Sequence, residues 1–144
     1  MKVILDTSVV IAFLLSKSKS NLTQIIKLAK DKKFALLVCK EIFSELQITL
    51  QSEKIKKFSG YKSNIIARFI AWYKYNAVFI SQEKLGKIKQ SRDLKDNIYI
   101  HLANQINADY LISNDKDLLV LKNIGKTKIT TPEQFIKDFK FDKN

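Results

Sequence analysis

Val3-Ile4-Leu5-Asp6-Thr7-Ser8, near the start of the chain, is a short aliphatic run that stops at an acid and two hydroxyl residues. Such a run is apolar without alternation and bounded by polar residues. It reads as a strand buried on both faces. Residues 34–38, 77–80 and 110–113 repeat the pattern, and residues 128–130 are a candidate fifth strand. Helical spacing fills the intervals. Residues 9–15 are apolar, and Leu22, Ile25, Ile26 and Ala29 form an i, i+3, i+4, i+7 stripe. Residues 41–51 align Ile42, Leu46 and Leu50 on one face. Over 62–75 the pattern sets Ile65, Ile66, Phe69, Ile70 and Tyr73 inward and Lys62, Arg68 and Lys74 outward. Residues 94–106 are a further helix. Thr131-Pro132-Glu133-Gln134 opens the last one: Thr131 caps, Pro132 fits the first turn and Gln134 completes a capping box. Strands alternating with helices predict an α/β fold, with a central, mostly parallel sheet of four to five strands covered on both faces.

The 144 residues are expected to form a single domain, 1–144. Three Gly and one Pro exclude collagen-like and linker-like chains. Cys39 stands alone, so no intrachain disulfide can form. The N-terminus enters the first strand directly, with no secretory pattern. No uncharged apolar run approaches the roughly 18 residues that a membrane helix needs. A soluble, cytoplasmic protein without membrane contact is expected.

The net charge is +12, and residues 46–92 carry ten basic against two acidic side chains. A polyanion, nucleic acid or an acidic protein, is the natural partner of that excess. Lys54, Lys56, Lys57, Lys62, Arg68 and Arg92 are the candidate phosphate contacts.

The chemistry narrows by elimination. Gly60, Gly86 and Gly125 are too scattered for a phosphate-binding loop. One histidine, His101, and one cysteine cannot build a tetrahedral zinc site. Carboxylates remain. Asp6 ends the first strand, and Asp115 follows the fourth in Leu111-Ile112-Ser113-Asn114-Asp115, with Asp117 two residues on. Carboxyl ends of parallel strands share one edge, where ligands bind. Glu45, Asp93 and Asp96 lie on helices. Taken singly, Asp6, Asp93 and Asp96 also fit helix caps, Asp115 a turn, and Glu45 a solvated helix charge. Acids that converge without basic partners repel, and a divalent cation relieves them. Hard oxygen donors point to Mg2+ or Mn2+. Such a cation beside a basic surface suggests phosphodiester chemistry on nucleic acid.

The ordered set of motifs resembles a PIN-domain ribonuclease. The opening Asp6-Thr7-Ser8 is similar to that family's Asp-Thr-Asn/Ser. Glu45-Leu46 resembles its second acid, and Asp93-x-x-Asp96, with Ala103 seven residues on, its third. Residues 108–119, Ala-Asp-Tyr-Leu-Ile-Ser-Asn-Asp-x-Asp-Leu-Leu, are the closest match. The ending from Ile129 to Phe135 resembles the toxin-like branch. The resemblance runs from about residue 2 to residue 139. It implies a three-layer α/β/α fold and Mg2+- or Mn2+-dependent endoribonuclease activity, often as the toxin of a toxin–antitoxin pair inhibited by a small antitoxin protein. Carried over, Asp6, Glu45, Asp96 and Asp115 hold the metal, with Asp93 and Asp117 nearby and the Ser113 hydroxyl orienting Asp6 or a water. Ser8, Cys39 and Asn114 depart from the commoner Asn, Ser and Gly, and none of these changes removes a ligand.

Other readings have less support in the sequence. A phosphoacceptor receiver domain needs paired acids at the first strand, whereas Asp6 has no acidic neighbour and Cys39-Lys40 follow Val38. A non-catalytic PIN-like module binding RNA or protein is the main alternative. A DNA-directed nuclease is a third, since no residue identifies a reader of the 2′-hydroxyl. An exposed apolar patch around Trp72 on the 62–75 helix would favour a homodimer or an antitoxin surface.

Overall fold

The computed structural model describes residues 1–16, 21–81 and 94–142, with side chains left out at 94–97 and 141–142. The chain runs β1 (Lys2–Leu5), α1 (Thr7–Leu15), α2 (Asn21–Lys30), β2 (Ala35–Cys39), α3 (Lys40–Leu50) and α4 (Glu53–Lys56). It continues with α5 (Ser63–Asn76), β3 (Val78–Ile80), α6 (Leu94–Ile106), β4 (Tyr110–Ile112) and α7 (Lys116–Leu119). The final elements are β5 (Asn123–Ile124), β6 (Thr127–Thr130) and α8 (Pro132–Asp142). Among the described residues no helix is long and apolar enough to cross a membrane.

The strands form one sheet in the order β3-β2-β1-β4-β6-β5. Every pairing is parallel except β5 with β6. β1 and β4 lie at the centre, and Val3, Ile4, Leu5, Leu111 and Ile112 are shut off from solvent. That burial explains why these stretches read as unbroken aliphatic runs. β3 lies at an edge, and its Val78 and Phe79 are exposed.

The pleat places two helices on opposite faces. Tyr110 and Lys128 are register partners and both reach Asp138 of α8. Thr127, one step out of phase with Lys128, donates instead to Ala103 O of α6 and Ala108 O beyond it, at 3.5 and 2.6 Å. Successive strand residues point to opposite faces, so α8 and α6 sandwich the sheet. Phe135 of α8 seals the α8 face, meeting Tyr110 edge-on at 5.0 Å and Phe34 at 5.7 Å. Burial opposes ionisation of Asp138. Bonds from Lys128 and Gln134 outweigh it and hold the carboxyl below its usual range.

Four details differ from the sequence expectations. The sheet has six strands, because Asn123–Ile124 pair with β6 across the tight Gly125-Lys126 turn. Gly125 has φ 54°, a conformation that costs a residue without a Cβ little. Two four-residue helices, α4 and α7, punctuate the loops. On α5 the buried stripe is Ile66, Phe69 and Tyr73, while Ile65 is 45% exposed. Ile65 sits about a quarter-turn off that stripe, and it borders a surface cavity of about 590 Å³ with Phe13, Leu14, Thr23 and Gly60. Finally, Thr131 caps α8 by accepting the Gln134 N–H at 3.2 Å, but the Gln134 side chain turns forward to Asp138 at 2.7 Å. The carboxylate is a stronger partner for its amide than the neutral backbone behind it. Trp72 is half-buried against the core, with Lys30 Nζ 5.6 Å above its ring.

Candidate active site

The sheet register decides where the acids fall. Leu5 pairs with Ile112, and Ile112 with Thr130. The ladder continues one step, with the Asp6 N–H donating to Ile112 O and the Ser113 N–H to Thr130 O, both at 2.9 Å. Asp6 and Ser113 are thus neighbours at the carboxyl edge of the two central strands. Asp6 is 7% exposed and Ser113 fully buried.

Ser113 joins two of the predicted acids. Its Oγ donates to Asp6 Oδ2 at 2.6 Å and accepts the Asp115 backbone N–H at 2.9 Å. Each acid also caps a helix. Asp6 Oδ1 takes the Ser8 N–H of α1 at 3.3 Å, and Asp115 Oδ1 takes the Asp117 N–H of α7 at 2.9 Å. Both are Asp-x-x starts with extended backbone, the usual N-cap geometry. Asp115 Oδ2 keeps no hydrogen-bond partner among the described residues, and Asp115 is half-buried, so that oxygen is open to a ligand.

The remaining predicted residues divide. Glu45 is half-buried in the middle of α3. Asp117 is exposed and contributes its backbone N–H. Asp96 is the third residue of α6, and its side chain lies outside the described residues. Asp93 and Arg92 lie outside them altogether. Lys54, Lys56, Lys57, Lys62 and Arg68 are all exposed, on α4, the turn after it and α5.

Tyr99 of α6 is the participant that sequence reading missed. It is buried at 3% exposure, and its hydroxyl bonds both the N–H and the Oγ1 of Thr7. Burial pushes its phenol well above the ordinary tyrosine range. The charges of Asp6 and, more weakly, Glu45 push the same way, against the opposing bonds from Thr7. Through Thr7, Tyr99 ties α6 to the end of β1. A signal existed: Tyr99 follows Asp96 by three residues, one helical turn. Cys39, which ends β2 at the same edge, is fully buried. Burial pushes its thiol up to about 11, partly opposed by the Ile42 N–H.

The donor set is hard oxygen. Among the described residues no three His, Cys, Asp or Glu side chains cluster closely enough to hold an ion. Ser113 Oγ joins the Asp6 carboxylate to the Asp115 backbone N–H, at the same sheet edge. Magnesium is commonly held by one or two carboxylates, with waters and substrate phosphates completing the shell, so this pair fits such an ion. A second feature lies on the adjoining strand: Thr130 Oγ1 is buried and has no hydrogen-bond partner among the described residues.

A family model described as PIN domain matches residues 2–117 of the chain. No curated protein and no solved structure matches it.

Proposed function

The chain belongs to the PIN-domain family, whose members are generally nucleases that use divalent cations, and from that premise we propose that it is a Mg2+- or Mn2+-dependent endoribonuclease. The observation that supports this most is the Asp6–Ser113–Asp115 linkage at the carboxyl edge of the central strands. Asp6, Glu45, Asp96 and Asp115 are the proposed ligands. A bound cation would neutralise the phosphate and make a water molecule easier to deprotonate. The protein's own groups do the rest. Ser113 holds Asp6 by a charge-assisted bond and keeps the Asp115 peptide beside it. The α1 and α7 caps fix both carboxylates on rigid helix starts before substrate arrives. With water as the nucleophile, cleavage of single-stranded RNA leaves a 5′-phosphate and a 3′-hydroxyl. Purified protein should cut such RNA in Mg2+ or Mn2+ and stop on addition of EDTA. A 2′,3′-cyclic phosphate product would mean that the 2′-hydroxyl attacks, and would overturn this mechanism.

The opposing reading is a non-catalytic PIN-like binding module. The helix-capping use of Asp6 and Asp115 favours it. RNA that stays intact in Mn2+, yet is retained by the protein, would decide for that reading.

The exposed lysines of α4 and its flanks are proposed to bind the RNA backbone. Each phosphate that a lysine no longer neutralises should reduce the salt slope of binding by about 0.7 for a single strand. Neutralising Lys54, Lys56 and Lys57 together should therefore flatten that slope by roughly 2. An unchanged slope and affinity would assign these lysines to another partner. The proposed biology is the toxin half of a toxin–antitoxin pair in the cytoplasm, with a small acidic antitoxin and a second copy of the chain as protein partners. A small acidic open reading frame immediately upstream would support that pairing.

A further inference from the structure

Thr7 begins α1 and is buried, and its backbone N–H is one of the first-turn donors that no helical carbonyl can accept. The answer comes from across the fold. Tyr99 Oη accepts that N–H at 2.9 Å and shares a 2.7 Å bond with Thr7 Oγ1, 92 positions away in sequence. Phenylalanine would fill the same buried space, so the hydroxyl is there for Thr7 rather than for packing. The residue just before Thr7 is Asp6, whose carboxylate Ser113 grips at 2.6 Å. Two clamps therefore act on consecutive residues: Ser113 on the carboxylate and Tyr99 on the peptide that follows it. Tyr99 also lies three residues after Asp96 in α6, so the clamp ties the backbone that carries one acid to the strand end that carries another.

We infer that Tyr99 is a positioning residue: its hydroxyl fixes the Thr7 peptide, and through it the Asp6 carboxylate, in register with the helix that bears Asp96. The inference rests on the nuclease reading above. The negative charges of Asp6 and Glu45 both bear on the Tyr99 phenol, in keeping with a place between the acid-bearing elements. No bond to substrate is assigned to it.

The test is Tyr99→Phe, which keeps the ring and removes the oxygen. Three readouts are taken: amide hydrogen exchange at Thr7, Mn2+ affinity by calorimetry, and kcat and KM on a single-stranded RNA. Thr7 should exchange at least about tenfold faster while the amides of β4 keep their protection. Mn2+ affinity and kcat should each fall by about 10–100-fold, as they do when a metal ligand's supporting partner is removed, with KM for RNA little changed. Thr7→Ser should keep wild-type behaviour and Thr7→Val should show the same effects in weaker form; this pair decides the matter if Tyr99→Phe does not fold. A variant with a lower Tm but unaltered kcat and Mn2+ affinity would overturn the inference and leave Tyr99 a packing residue. Wild-type protein that neither binds Mn2+ nor cuts RNA would overturn the nuclease reading itself, and the role assigned to Tyr99 with it.

Discussion

Asp115→Asn should fold and melt like the wild type and cut RNA at most about one-hundredth as fast. The cap survives the change, because Asn caps a helix about as well as Asp and its Oδ1 can still take the Asp117 N–H. The site does not survive it. The open oxygen becomes an NH2 group, which is uncharged and donates where a cation needs a donor of electrons. Charge stabilisation by a bound cation is worth several kcal/mol, and about 1.4 kcal/mol is a factor of ten in rate, so about a hundredfold is the minimum expected. Single-turnover cleavage in saturating Mn2+, beside a thermal melt of the same sample, checks both halves. A variant that cuts at more than about a tenth of the wild-type rate would leave Asp115 as a helix cap alone.

A large effect on stability should come from a residue with no side chain. Gly60 lies in the turn between α4 and α5, and a Cβ placed there would sit 2.2 Å from the Leu15 carbonyl oxygen and 3.1 Å from its carbon. Both atoms are backbone, at the last residue of α1, so no rotamer change relieves the overlap. Gly60→Ala should therefore push apart α1 and α5, whose Phe13 and Phe69 pack at 5.5 Å. Overpacking of this kind costs about 1–3 kcal/mol, and at roughly 2–8 °C per kcal/mol the Tm should fall by several degrees. An unchanged melting curve would mean that α1 and this turn do not approach so closely in solution.

Much of the fold was legible because burial writes itself into residue type. Val3, Ile4 and Leu5 are covered on both faces, and a central parallel strand produces such a run. That Asp6 and Asp115 lie near each other was legible for a topological reason: residues just after parallel strands share an edge, and Ser113 bonds the Asp6 carboxylate and the Asp115 backbone N–H there. Other features depend on partners distant in sequence. Asn123–Ile124 becomes a strand only because the Gly125 turn folds it back on β6. Ile65 fits the helical apolar pattern yet faces a cavity, since helix periodicity gives the stripe and not its width. Gln134 satisfies a capping-box pattern, but Asp138 lies within its reach and competes for the amide. Tyr99 was the least legible of all. Within its helix it looks like any buried aromatic, and only the meeting with Thr7 gives its hydroxyl a purpose.

The central claim is that acids from separate elements hold one divalent cation, and thermal melting with and without Mn2+ tests it most directly, on wild type and on Asp96→Asn. Without metal, removing one of several mutually repelling charges should leave the Tm unchanged or raise it. With Mn2+ at about a hundred times its dissociation constant, binding to the native state adds about 2.7 kcal/mol. The wild type should then gain several degrees, at roughly 2–8 °C per kcal/mol, and Asp96→Asn clearly less. Melting curves that coincide for the two proteins and ignore Mn2+ would contradict the claim that these acids form one site.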